Sequence, residues 1–135
     1  MKVLVPQTWV PGTPRGYGNR KLEDEWLGEM RRALRKHKDL AGCEDPVNVR
    51  YEVDLDFVLW PGSSKYGGQN PHHGTDLDSL VRLAVDGLMP LDGRGAGVIT
   101  DDQAIYRINA TKTHARDAKA TGAWITVKML AGSAE

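Results

Sequence analysis

Cysteine is nearly absent: the chain holds one, Cys43, among 135 residues. A single thiol excludes an internal disulfide and a cysteine-rich zinc site, and it fits a reducing compartment. Net charge is absent too, with 18 Lys and Arg set against 18 Asp and Glu. No chain-wide basic field exists to attract nucleic acid, so any anion binding has to come from local patches. No apolar run approaches the roughly 18 residues that span a bilayer. The opening segment MKVLVPQTWVPG carries one Lys and a short apolar stretch broken by Pro6. That stretch is too short for the apolar core of a signal peptide, and the expectation is a cytoplasmic protein without membrane contact. The glycines of the first loop are not followed by Gly-Lys-Ser/Thr, so ATP binding has no support.

What is present suits one globular domain spanning 1–135, with 40% hydrophobic and 27% charged residues. KVLVPQTWV reads as a first strand, with Pro6 implying an edge position or a bulge. PGTPRGYGNRK is a loop, and its Arg15, Arg20 and Lys21 are candidate DNA clamps. LEDEWLGEMRRALRKHK places Leu22, Trp26, Met30, Ala33, Leu34 and His37 at helical spacing, acids first and bases last, an order that suits the helix dipole. His37 on that stripe is expected to be a satisfied core or interface histidine. After a second long loop and a second helix, VITDDQAIYRINATK and GAWITVKML read as strands. The order β–α–β–α–β–β predicts an α/β (α+β) fold, a mixed β-sheet with two main helices packed on it.

The tripeptide Asp-Leu-Asp occurs twice, in VRYEVDLDFVLW and in GTDLDSLVRLAVDGL. In the first setting Val49, Tyr51, Val53, Leu55 and Phe57 alternate with Arg50, Glu52, Asp54 and Asp56. That is a half-buried strand, and it makes Asp54 and Asp56 members of a solvated polar face. In the second setting Leu77, Leu80, Val81, Ala84 and Leu88 form the apolar stripe of a helix. Thr75 with Asp78 matches a capping box, predicting a start near Thr75 and placing Asp76 and Asp78 in the first turn. Acids there complement the dipole, and an Asp78–Arg82 pair at i,i+4 would add a few tenths of a kcal/mol.

A second acidic pair, Asp101 and Asp102, ends the apolar stretch GVIT that follows this helix. A helix and the strand after it can bring their ends together, and carboxylates gathered there repel unless a cation sits among them. Hard divalent cations take oxygen ligands, and carboxylates beside basic residues suit metal-assisted phosphodiester hydrolysis.

With DLDSLVRLAVDGL followed by an apolar stretch and DDQ, the segment from about Asp76 to Lys112 resembles the RusA family of Holliday-junction resolvases. The resemblance implies a small homodimeric endonuclease that uses Mg²⁺, with Mn²⁺ as the alternative. It implies nicking of four-way junctions or other branched DNA, in a bacterial or phage-infected cell. By position, Asp76 and Asp78 match the family's first metal-binding acids, and Asp86 matches a supporting helix acid. Aligning the acidic doublet makes Asp102 the third catalytic acid; aligning the nearby Gln103 makes it Asp101. Two positions depart from the pattern: Ser79 stands where the family has Asn, and Arg82 where it has a catalytic Lys. Arg82 keeps the charge but does not give up a proton, which leaves it a phosphate-holding or charge-stabilising role.

The other candidate DNA contacts are His72 and His73 in the loop before the motif, and the basic cluster Lys112, His114 and Arg116. The histidines also read as a plain surface loop or, less readily, as metal ligands, and the basic cluster equally as a solvated strand end. Two alternatives stand beside the resolvase: a junction-binding module that lost cleavage through Arg82, and a metal-dependent nuclease acting on flaps or forks.

Overall fold

A computed structural model describes residues 2–37, 49–60 and 76–130. Strand β1 (Lys2–Pro11) leads to helix α1 (Arg20–Leu34), which a 3₁₀ turn (Arg35–His37) extends. Strand β2 (Arg50–Leu59), helix α2 (Leu77–Leu88), strand β3 (Ile105–His114) and strand β4 (Gly122–Leu130) follow. The order matches the β–α–β–α–β–β expectation, and the four strands form one mixed sheet ordered β1-β4-β2-β3. β4 is antiparallel to both β1 and β2, while β2 and β3 run parallel with α2 between them in sequence. Parallel neighbours need a crossover of this kind, because a tight hairpin cannot return the chain to the same end of the sheet.

Alternation builds the core. Tyr51, Val53, Leu55 and Phe57 of β2 are fully buried, as are Ala123, Ile125 and Val127 of β4. They belong to one cluster with Trp26, Leu27, Met30 and Leu34 of α1 and Leu80, Leu83, Ala84 and Leu88 of α2. Each of the larger apolar side chains contributes about 1.5–3 kcal/mol on burial. The helices meet where Gly87 leaves room: a Cβ there would lie 2.9 Å from Leu27 Cδ2 and Met30 Sδ. Pro6 behaves as expected, since β1 is an edge strand whose register slips on both sides of Val5. No described helix is long and apolar enough to cross a membrane.

Four expectations are corrected. First, α1 begins at Arg20, so Arg20 and Lys21 lie in its first turn and not in the loop. Asn19 captures the Leu22 amide through its side chain at 3.1 Å, which starts the helix ahead of its apolar stripe. Second, α2 begins at Leu77 with Asp76 as its N-cap residue, and Thr75 lies outside the described residues. The Asp76 carbonyl accepts the Leu80 amide at 3.1 Å, while its carboxylate makes no capping bond.

Third, GVIT is not a strand, and Asp101 and Asp102 precede β3 instead of ending an earlier strand. A helix leaves its last carbonyls without intrahelical partners. Here the amides of Ala96, Val98 and Ile99 fill them, bonding to Gly87 O at 2.7 Å and to Leu88 O at 2.8 and 3.1 Å. Amides spent on the end of α2 cannot form a ladder, although Val98 and Ile99 are fully buried. Fourth, His37 is half-buried, and its Nε2 has no hydrogen-bond partner among the described residues. Burial, with a smaller contribution from the Lys36 charge, lowers its pKa.

The docking of residues 95–99 onto α2 has a measurable consequence. A Cβ at Gly95 would stand 1.9 Å from the Met89 carbonyl oxygen, a backbone atom that cannot rotate away. Gly95→Ala should therefore lower stability by about 2–3 kcal/mol in thermal or urea unfolding. An unchanged midpoint would show that this packing is not as close as described.

Candidate functional site

The acids that influence one another are Asp101 and Asp102, with the charge of Asp86 felt at Asp102. Asp101 caps a 3₁₀ turn (Asp102–Ala104), accepting the Gln103 amide at 3.0 Å. The Asp102 carboxyl shares a hydrogen bond with Asp101. That bond, partial desolvation and the charges of Asp101 and Asp86 together raise its pKa, against a smaller opposing pull from the Gln103 amide. Thr100, just before the pair, is tied to the core: its amide lies 3.4 Å and its hydroxyl 3.3 Å from the Tyr51 hydroxyl. The acidic doublet is thus placed by a buried tyrosine on one side and the capped turn on the other.

Asp76 and Asp78 are exposed on the opening of α2. Asp78 precedes Asp86 by eight residues, which is about 12 Å of helix rise. The first acidic pair therefore lies two turns up the axis from the acid that Asp102 senses. Among the described residues, no three His, Cys, Asp or Glu side chains converge as a ready-made cation cage. Arg82 is exposed on the same helix, and it makes no ion pair with Asp78 among the described residues. The donor set along this ridge is all oxygen, the type that hard divalent cations accept.

The loop between β1 and α1 reaches this ridge. The Tyr17 hydroxyl donates to an Asp86 carboxylate oxygen. Partial burial, that bond and the charges of Asp86 and Glu23 push the Tyr17 pKa up to about 12, against the pull of Arg94. Glu23 is 7% exposed and accepts the Gly18 amide at 3.1 Å. Beside it Arg94 bonds Asp24 at 2.9 Å, and Arg31 donates to the Gly93 carbonyl at 2.6 Å. Slight desolvation works against ionisation of Asp24, but hydrogen bonds from Arg94 and Arg20 prevail and lower its pKa.

The basic candidates do not gather at the acids. Arg20 Nε bonds its own helix neighbour Asp24 at 3.1 and 3.2 Å. Lys21 is exposed, and Arg15 lines a cavity of about 470 Å³ along α1 with Trp26 and Glu29. Lys112 is half-buried on edge strand β3. His114 and Arg116 line a separate cavity of about 490 Å³ with Trp9, Val58 and Trp124. The two indoles there are packed with centroids 5.1 Å apart at 55°. His72 and His73 lie outside the described residues.

The first Asp-Leu-Asp is more tied down than a solvated face requires. Asn109 Nδ2 and Thr111 Oγ1 of β3 donate to Asp54 and Asp56 at 2.7 Å each, and Arg107 lies 3.5 Å from Glu52. Both aspartates are half-buried cross-strand acceptors.

The pattern of residues did not reveal Tyr17, Glu23 or Arg94. The one local signal was an aromatic residue set between two glycines in RGYGN, where a loop ring without a partner would gain little. Neither protein-family models nor curated protein sequences match this chain.

Proposed function

We propose that this protein is a homodimeric, Mg²⁺-dependent endonuclease that nicks four-way DNA junctions. The observation that carries the reading is the exposed Asp101–Asp102 doublet, fixed by the capped turn at Asp101 and by the contacts of Thr100 with the buried Tyr51 hydroxyl. A divalent cation satisfies such a local concentration of negative charge. The resemblance of Asp76, Asp78 and Arg82 to the RusA pattern adds the remaining acids and the cation.

In this reading Asp76 and Asp78 at the start of α2 and one of Asp101 and Asp102 are the metal-holding acids, and bound metal would supply an activated water and charge stabilisation. Asp101, already engaged as a cap, orients its neighbour; Asp102 is the freer donor. Arg82, extended from the exposed face of α2, holds the scissile phosphate or its developing charge. Two copies related by a two-fold axis would cut opposed strands of a junction, itself a two-fold object. Local cations carry the DNA contact, since the chain has no net charge to contribute.

Incubation of the purified protein with a synthetic four-way junction and Mg²⁺ is expected to yield two symmetric nicks, abolished by a chelator. Binding without nicks would replace this reading with the junction-binding module. Preferred cutting of flaps or forks would replace it with another structure-specific nuclease.

A further inference from the structure

We infer that Tyr17 is a positioning residue for the acidic ridge of α2: its hydroxyl holds the Asp86 carboxylate and pins the Arg15-bearing loop next to it. The inference rests on the nuclease reading for its catalytic half and on geometry alone for the tether. Tyr17 and Asp86 are 69 residues apart in sequence, so their contact is a tertiary one. Tyr17 is 49% exposed, and core packing gives no account of why an aromatic ring stands there. Its segment is bracketed by Gly12 and Gly18, both at positive φ (113° and 146°), conformations that glycine adopts without strain. Pro14 in this loop is buried, and among the described residues two polar contacts tie the loop to the body. One is Tyr17 to Asp86 on α2; the other is the Gly18 amide to Glu23 on α1.

The consequence for the site follows from chemistry. A carboxylate that accepts a hydroxyl proton is fixed in direction and spends one of its lone pairs away from its acidic neighbours. Asp86 shares its helix with Asp78 and Arg82, so the direction of its carboxylate shapes the acidic ridge. Without Tyr17, Asp86 would be free to turn, and the loop carrying Arg15 would keep the Gly18–Glu23 bond and the buried Pro14. Outer contacts that orient acids around a metal centre typically change activity by about 10–100-fold when lost.

The test is a double-mutant cycle of Tyr17→Phe and Asp86→Ala in the full chain, with circular dichroism to establish folding and Asp86→Asn as the milder partner. Two readouts are taken. The first needs no DNA or metal: the rate of trypsin cleavage after Arg15, followed by mass spectrometry. Tyr17→Phe should speed that cut about tenfold, since cleavage tracks the open fraction of the loop. Asp86→Ala should speed it equally, and the double variant should add nothing. The second is kcat for junction nicking, which Tyr17→Phe should lower about 10–100-fold with no further loss in the Asp86→Ala background. Wild-type trypsin rates in Tyr17→Phe, or effects that add in the double variant, would overturn the inference. Coupled trypsin rates in a protein that nicks no DNA would uphold the tether and remove the nuclease reading.

Discussion

Asp76→Asn and Asp78→Asn are each expected to abolish Mg²⁺-dependent nicking while leaving circular dichroism and junction binding at wild-type levels. Both side chains are exposed at the start of α2, so neither supports the core. Asp76 is the N-cap residue but makes no side-chain capping bond, and Asn caps helices as well as Asp. Asp78 contributes at most a dipole interaction of about 0.3–1 kcal/mol, too little to unfold a domain. Removing a charged metal ligand costs several kcal/mol of transition-state stabilisation, a loss of about 10³-fold or more in rate. The large activity effect and the small stability effect separate the chemical role from the structural one. The control is the other Asp-Leu-Asp: Asp54→Asn and Asp56→Asn keep an oxygen acceptor for Asn109 and Thr111 and should nick normally. Normal nicking by Asp78→Asn would remove the metal role. Severe loss in folded Asp54→Asn would move the site to the sheet.

Arg82→Ala should lower nicking by about 100-fold and change the melting transition little, whereas Arg82→Lys should retain activity. The bland account of Arg82, a helix surface partner of Asp78, predicts a stability loss of at most about 0.5 kcal/mol and no rate effect. The structure weakens that account, because Arg82 is exposed and forms no ion pair with Asp78 among the described residues. An arginine with no ion pair among the described residues is available for a phosphate. Full cleavage by folded Arg82→Ala protein, measured on the same junction, would end the claim for this residue and leave the carboxylates untouched.

Periodicity was enough to locate the main elements. The alternation from Tyr51 to Phe57 and the stripe from Leu77 to Leu88 both emerged where their spacing placed them. Boundaries were less legible, because they rest on single hydrogen bonds. Asn19 started α1 early, and Asp76 took the cap position ahead of α2. GVIT was misjudged for a further reason. Its apolar side chains are buried, as a strand's would be, but its amides go to the carbonyls of Gly87 and Leu88. Side-chain pattern reports burial; it does not report which backbone groups lack partners.

For the site, sequence by itself determined the inventory: two acidic pairs, the helix that carries Asp78, Arg82 and Asp86 along one side, and the absence of thiol ligands. Those follow from residue type and helical spacing, which are local properties. Only the tertiary structure decided the neighbours. It brought Asp86 to Asp102, Tyr17 to Asp86, and Arg94 to Asp24, and it left Asp76 and Asp78 two turns away. It also drew His114 and Arg116 to the Trp9–Trp124 cavity. Contacts across 69 or 70 residues depend on how α1 and α2 pack over the sheet and on a loop turned by two glycines. Packing of that kind is a property of the whole buried core, and no short stretch of residues contains it.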